Sequence, residues 1–249
     1  RYIVIDELHV YRGVFGSHVA NVLRRLQRIC AHYGASPRYI LCSASIANPK
    51  ALAERLVERE VTLVDDNGAP SGEKYLMLYN PPVVDRSLGI RTGSVTAARQ
   101  LAGQIIGNRI HTIVFTRSRL VVELMLRYLR ADAQAAHLSP EAIQGYRGGY
   151  MPLERRAIER GLREGTIQAV VSTNALELGI DIGSLEACVM VGYPGTVAST
   201  LQQMGRAGRR ESRAVAIVVA SSAPLDQYIV THPEYLLGSP VEAGLINPD

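Results

Sequence analysis

Short runs of apolar and β-branched residues punctuate the 249-residue chain, at 2–5, 39–42, 61–64, 75–79, 112–115, 167–171, 187–191 and 214–219. Stretches with apolar positions three or four residues apart separate many of them. That alternation predicts an α/β fold built on parallel sheets, with helices crossing between strands. After the first run, Val19, Val22, Leu23, Leu26, Ile29 and Cys30 follow a helical period, with Arg24, Arg25 and Arg28 on the other side as a solvated face. Ser17 is placed to cap this helix.

The segment at 65–74, Asp-Asp-Asn-Gly-Ala-Pro-Ser-Gly-Glu-Lys, has the turn chemistry of a linker or hairpin loop. It predicts a first domain over 1–65, a linker at 66–74 and a second domain over 75–249 that includes the C-terminal tail. Three runs precede the linker, too few for a doubly wound domain, and five follow it. The first domain therefore reads as a C-terminal part only, and a chain that opens inside a strand without Met agrees with that. The turn-rich stretch 232–240 is expected to lead towards a further domain.

With 47% hydrophobic residues the chain can bury a sizeable core. No stretch approaches the ~20 consecutive apolar residues of a membrane span, and Arg1-Tyr2-Ile3-Val4-Ile5 lacks a signal peptide's features. The expectation is a cytoplasmic protein with no membrane partner. Cys30, Cys42 and Cys188 are far apart among apolar neighbours, so they are expected to be buried core thiols. The formal charge is +4, and all but Lys50 and Lys74 of the 27 basic residues are arginine. Arginine's planar fork suits phosphates, but a compositional bias gives the same count, so charge alone says little about nucleic acid.

The chemistry is concentrated at strand ends. Asp6 and Glu7 follow the first run directly, at the edge where open α/β sheets bind ligands. One carboxylate of such a pair can hold Mg²⁺ through water while its neighbour orients and deprotonates a water attacking a γ-phosphate. Alone, the pair is equally a solvated strand end. His9 extends it to Asp6-Glu7-Leu8-His9, and the second run leads into Ser43-Ala44-Ser45. With these residues the chain resembles superfamily 2 DExH-box helicases, the two strings matching motifs II and III. The resemblance implies two RecA-like parallel-sheet domains, ATP as cofactor and Mg²⁺ at Asp6. It assigns catalysis to Glu7 and makes His9, Ser43, Ala44 and Ser45 couple nucleotide state to domain closure.

Further matches follow in family order. Thr116-Arg117-Ser118 ends a strand at a helix start, where hydroxyls and free N–H groups can take phosphate oxygens or simply cap the helix. It looks like motif IV. Arg147 and Gly148, in Tyr146-Arg147-Gly148-Gly149-Tyr150, suggest another contact to a nucleic-acid backbone, while Arg155, Arg156, Arg160 and Arg163 spread around the next helix and read as solvated. The string from Ser172 to Asp181 resembles motif V. By that likeness Ser172, Thr173 and Asn174 meet the phosphodiester backbone, and Gly179 and Asp181 lie beside the nucleotide. Gln202-Gln203-Met204-Gly205-Arg206-Ala207-Gly208-Arg209 fits motif VI. Arg206 and Arg209, three apart, are expected on one side of a helical turn, with Gly205 and Gly208 permitting close backbone approach. The likeness gives Gln202 the γ-phosphate or its water, places Gly205 at the nucleotide, and makes the arginines fingers worth ~10³–10⁵ in rate.

The motifs span Asp6 to Arg209. Within the superfamily, the stretches 11–18 and 146–150 look like the MrfA/YprA-like bacterial branch, related to the Hrq-type and RecQ helicases. That likeness implies 3′-to-5′ translocation on single-stranded DNA, a repair role and a nucleoid-associated location. RNA or duplex DNA could serve the same motor, because its motifs contact mainly backbone. A non-catalytic binding module is the other reading, and the intact Asp6, Glu7, Arg206 and Arg209 speak against it. No Gly-x-x-x-x-Gly-Lys-Ser/Thr occurs in the chain, so the loop that cradles phosphates is missing and the chain alone is expected to have negligible ATPase. The cysteine-rich zinc domain usual in that branch is not matched.

Overall fold

A computed structural model describes the chain except residues 45, 67, 69–71, 178–181, 184, 209–212 and 248–249. It divides into two units, one formed by 1–68 together with 240–249, the other by 69–239.

In the first unit β1 (Tyr2–Ile5) pairs in parallel with β2 (Arg38–Leu41), Tyr2 opposite Arg38 and Ile5 opposite Leu41. The crossover is α1 (Gly13–His32), and α2 (Pro49–Val57) follows β2. Helix α1 starts four residues before Ser17, with Arg12 at the cap position. Ser17 is therefore not the cap: its hydroxyl donates to the Gly13 carbonyl at 2.8 Å and accepts the Asn247 N–H at 3.0 Å. The Gly13 N–H, an orphan donor at this helix start, goes instead to the Leu245 carbonyl at 2.6 Å. Only part of the apolar stripe is covered. Ala20 and Leu23 pack with Ile5, Leu8, Leu52, Leu56 and Ile246, whereas Val22 and Ile29 are 60% and 54% exposed.

Two expectations are corrected here. The run 61–64 forms no strand, because the Val61 N–H is taken by the Glu54 carboxylate at 3.4 Å rather than by a neighbouring strand. The tail 240–249 packs in the first unit, not in the second as its sequence position suggested. Asn48 clamps it with a reciprocal pair of bonds, Nδ2 to the Gly244 carbonyl at 2.9 Å and Oδ1 from the Gly244 N–H at 2.8 Å. Ile246 is buried at 4% exposure, and a Cβ on Gly244 would come within 2.6 Å of Leu52.

The second unit runs β3 (Lys74–Tyr79), the hairpin β4 (Val83–Asp85) and β5 (Ile90–Arg91), α3 (Ser94–Gly107), β6 (Thr112–Phe115) and α4 (Arg119–Ala135). It continues through β7 (Ile143–Tyr146), α5 (Pro152–Glu164), β8 (Ala169–Ser172), β9 (Ala187–Val191), α6 (Val197–Met204), β10 (Ala214–Val219), α7 (Pro224–Thr231) and the short α8 (Glu234–Gly238). Six strands form one parallel sheet in the order β3-β10-β9-β6-β8-β7, which bears out the α/β parallel fold read from the sequence. Every residue of β6, β8 and β9 is buried, as expected for parallel strands covered on both faces. Ala98, Ala102, Val122, Met125 and Leu129 of α3 and α4 share a core with Val114, Val171, Val189 and Ile217 of the sheet. Among the described residues no helix is long and apolar enough to cross a membrane.

Candidate nucleotide and nucleic-acid site

Strand β1 delivers Asp6 and Glu7 to the C-terminal edge of its sheet. Asp6 is exposed, and its Oδ1 accepts the Glu7 N–H at 2.9 Å. Glu7 sits in the left-handed region at φ 53°, which costs a non-glycine residue about 1–2 kcal/mol. The turn is held by its neighbours: Cys42 N–H donates to Ile5 O at 2.9 Å, and Leu8 N–H to Cys42 O at 2.8 Å. His9 Nδ1 stands 3.5 Å from Glu7 Oε2. Asp6, Glu7 and His9 thus form one cluster, on a turn whose flanking residues Ile5 and Leu8 are hydrogen-bonded to Cys42, the residue that precedes Ser43. Ser43 and Ala44 are exposed, and Ser45 lies outside the described residues. Cys42 is also exposed and Cys30 only partly covered, because they lie on sparsely covered elements of this unit; of the three thiols only Cys188 is buried, and burial pushes its pKa up.

Among the described residues no group of three or more His, Cys, Asp or Glu could cage a metal. A single exposed carboxylate such as Asp6 does fit Mg²⁺, which keeps much of its water and takes further ligands from phosphate.

In the second unit the C-terminal ends of β6, β8 and β9 surround a cavity of about 300 Å³ lined in part by Thr116, Arg117, Asn174, Glu177, Ser199 and Gln203. The chain leaves β8 on one side of β6 and returns as β9 on the other, the kind of crossing at which open α/β sheets bind ligands. The strand ends are tied together, Thr116 N–H donating to Ser172 O at 2.8 Å. Thr116 is 5% exposed and its hydroxyl donates to Ser118 O at 3.2 Å; the Ser118 hydroxyl caps α4 by accepting the Val121 N–H at 3.2 Å. Ser172 is fully buried and donates to Thr173 O at 2.8 Å, and the Thr173 hydroxyl accepts the Ala175 N–H at 3.4 Å. Asn174 is exposed. Arg117 donates through Nη2 to the Tyr193 carbonyl and, at 3.0 Å, to Asp226.

Arg147 and Gly148 stand apart from this cavity, at the end of the edge strand β7. Arg147 Nε donates to Glu123 at 2.8 Å, and its guanidinium lies 5.0 Å from the Tyr150 ring centre. Gly148 is partly exposed.

Helix α6 ends at Met204, with Gly205 after it. Arg206 therefore follows the helix, and Ala207 pairs with Leu185 as an isolated bridge. The expectation that Arg206 and Arg209 share a helical turn falls on Arg209, outside the described residues. Gln202 and Arg206 are partly covered and engaged with the protein. Arg209, Gly179 and Asp181 lie outside the described residues. Two residues inside the motif strings that the sequence did not single out face each other: Gln203 Nε2 donates to Glu177 Oε2 at 3.0 Å, both residues at 7% exposure. Asp226 was equally unmarked, since an acid in the first turn of a helix is ordinary.

The arrangement has known counterparts. Residues 97–211 match the Helicase conserved C-terminal domain. That match lies within the second unit. The chain as a whole resembles the YprA/MrfA and Hrq helicases. It is 57% identical to the ATP-dependent helicase YprA of Bacillus subtilis over its whole length, covering 33% of YprA. It is 42% identical to the ATP-dependent helicase HRQ1 of Saccharomyces cerevisiae, with 95% of this chain and 22% of HRQ1 covered. The crystal structure of the DUF1998 helicase MrfA bound to DNA and AMPPNP superposes with a TM-score of 0.95 at 57% identity, over 100% of this chain and 34% of MrfA's. The chain thus spans about a third of YprA or less than a quarter of HRQ1.

Proposed function

We propose that this chain is part of the motor of an ATP-dependent DNA helicase or translocase, one that couples hydrolysis to 3′-to-5′ movement on single-stranded DNA in repair. The observation that carries the reading is the likeness, over all of this chain at 57% identity, to a third of a helicase crystallised with DNA and AMPPNP. The Asp6, Glu7 and His9 cluster on one unit and the Thr116 to Gln203 cavity on the other supply chemistry consistent with it.

In this reading Asp6 holds a hydrated Mg²⁺, which would neutralise phosphate charge. Glu7 takes a proton from water as the water oxygen attacks the γ-phosphorus and the bond to the bridging oxygen of ADP breaks. His9, 3.5 Å from the Glu7 carboxylate, orients it. Arg206 and Arg209 bring positive charge to the γ-phosphate, with Gln202 at its water, and Gly179, Asp181 and Gly205 border the nucleotide. Ser43, Ala44 and Ser45 relay closure. Asn174, Thr173 and Arg117, beside the cavity, contact the strand's phosphates, with Ser172, Thr116 and Ser118 fixing the turns that present them. Arg147 and Gly148 extend that track.

The experiment is steady-state ATP hydrolysis by the full-length parent with single-stranded DNA, duplex DNA or RNA, beside the same parent carrying Glu7→Gln. Strong stimulation by single-stranded DNA, nearly abolished by Glu7→Gln while ATP still binds, is the expected result. Activation by RNA alone would overturn the DNA assignment, and lost ATP binding in a folded Glu7→Gln protein would overturn the role of Glu7.

A further inference from the structure

We infer that Asp226, on α7 and outside every helicase motif, is a positioning residue that locks the Arg117 side chain to the loop feeding the motif VI helix. The inference rests on the helicase reading above. Its basis is a single carboxylate that ties together the C-terminal ends of three neighbouring strands. Strands β10, β9 and β6 are adjacent in the sheet. Asp226 Oδ2 accepts the Ser221 N–H at 2.8 Å and the Ser221 hydroxyl at 2.7 Å, just beyond β10, and the Tyr193 N–H at 3.3 Å, just beyond β9. Its Oδ1 takes the Arg117 guanidinium at 3.0 Å, just beyond β6.

The carboxylate is 1% exposed. Burial works against its charge, but the Ser221 hydrogen bonds, Arg117 and the Tyr193 amide outweigh that and hold the carboxyl below the usual range. The backbone is cut to fit. Gly192 sits at φ +84°, and a Cβ there would lie 3.1 Å from Arg117 Nη2 and 3.2 Å from Asp226 Oδ2.

A staple that only fastens a sheet edge would hide both partners. Here the Arg117 side chain stays 54% exposed and lines the cavity, and among the described residues only its Nη2 is engaged, by Asp226 and the Tyr193 carbonyl. The rest of the planar fork is left to meet a phosphodiester oxygen in a fixed orientation. The same carboxylate holds Tyr193, and the chain from Tyr193 runs through Pro194 and Gly195 into α6, which ends at the motif VI residues. Asp226 thereby joins the turn proposed to meet nucleic acid to the helix that carries Gln202 and leads to Arg206.

The test uses the full-length parent with Asp226→Asn, Arg117→Gln and both together, measuring ATPase against single-stranded DNA and against ATP, alongside the unfolding midpoint. Asp226→Asn keeps the side chain's shape and removes its charge. It should raise the DNA concentration for half-stimulation about tenfold, the scale of one charge-assisted hydrogen bond, and leave the KM for ATP unchanged. Arg117→Gln should do the same, and the double variant should be no worse than the poorer single one. Half-stimulation unmoved by Asp226→Asn, equal changes in both KM values, or single effects that multiply would each overturn the positioning role. A wild-type parent that DNA fails to stimulate would sink the helicase reading and this inference with it, whereas a stimulated wild type with an indifferent Asp226→Asn sinks the inference alone.

Discussion

Gly208 of motif VI offers a demanding test, because its neighbours define two separable costs of adding one methyl group. Its φ is +72°, so alanine there must hold a left-handed backbone, at about 1–2 kcal/mol. The new Cβ would also lie 2.6 Å from the Ala214 Cβ, well inside contact distance. Ala214 opens β10, is 6% exposed and is paired with Lys74 of β3, with Val215 beside it paired to Ala187 of β9, so it has little room to yield. Overpacking of this kind costs ~1–3 kcal/mol. Gly208→Ala should therefore destabilise the second unit by about 2–5 kcal/mol, a large share of a typical domain's stability. Urea unfolding followed by far-UV circular dichroism, with hydrogen exchange at the β10 amides, reads this directly. Adding Ala214→Gly removes the contact but not the backbone strain, so the double variant should recover the overpacking part relative to Ala214→Gly alone. An unchanged urea midpoint and slope in Gly208→Ala would refute both costs. A drop that Ala214→Gly does nothing to relieve would refute the contact.

Gln203→Leu should lower the thermal midpoint, since it leaves the Glu177 carboxylate buried at 7% exposure without the Gln203 amide, a loss of ~1.5–3 kcal/mol. Glu177→Leu added to it should restore much of that, and a double variant worse than the single would contradict the pairing. Tyr146 is pushed up to about 12 by burial and by its bond to Glu159 at 2.8 Å. Between pH 10 and about 12 the unfolded chain releases this phenolic proton while the folded one keeps it, so stability falls as pH rises through that window. Tyr146→Phe should flatten the fall in midpoint measured by alkaline thermal melts, and an identical slope in both proteins would be the wrong outcome. Asn48→Ala removes both bonds to Gly244 and should weaken tail docking by ~1–3 kcal/mol. Faster exchange of the Gly244 and Ile246 amides would register it.

The central strands were plain in the sequence because both of their faces are covered, so β6, β8 and β9 are apolar apart from Thr112 and Ser172. Strand β7 was not, since Gln144 and Gly145 interrupt its pattern and it lies at the sheet edge. The run 61–64 misled for the opposite reason: Val61 and Val64 have strand-forming side chains, but the Val61 amide goes to Glu54 and Val64 is 84% exposed. The motif strings run past the strand ends that carry Asp6, Thr116 and Asn174, the last two lining the cavity. They did not reveal which side chains face inward. Thr116 and Ser172 are hydroxyls pointing into the fold, and Glu177 with Gln203, silent in the strings, form the buried pair beside the cavity. Asp226 was illegible because its partners come from positions 117, 193 and 221, a convergence that only the sheet order produces.

The return of the tail has a consequence for the order in which the protein is made. Ile246 belongs to the core that holds Ile5, Leu23 and Leu52, so residues near position 5 wait for a core partner made about 240 residues later. The whole of 69–239 must be synthesised in between. Domains usually fold as units during synthesis, the N-terminal one first, but here the six-stranded sheet is drawn wholly from 69–239 and can form while the earlier unit still lacks Ile246.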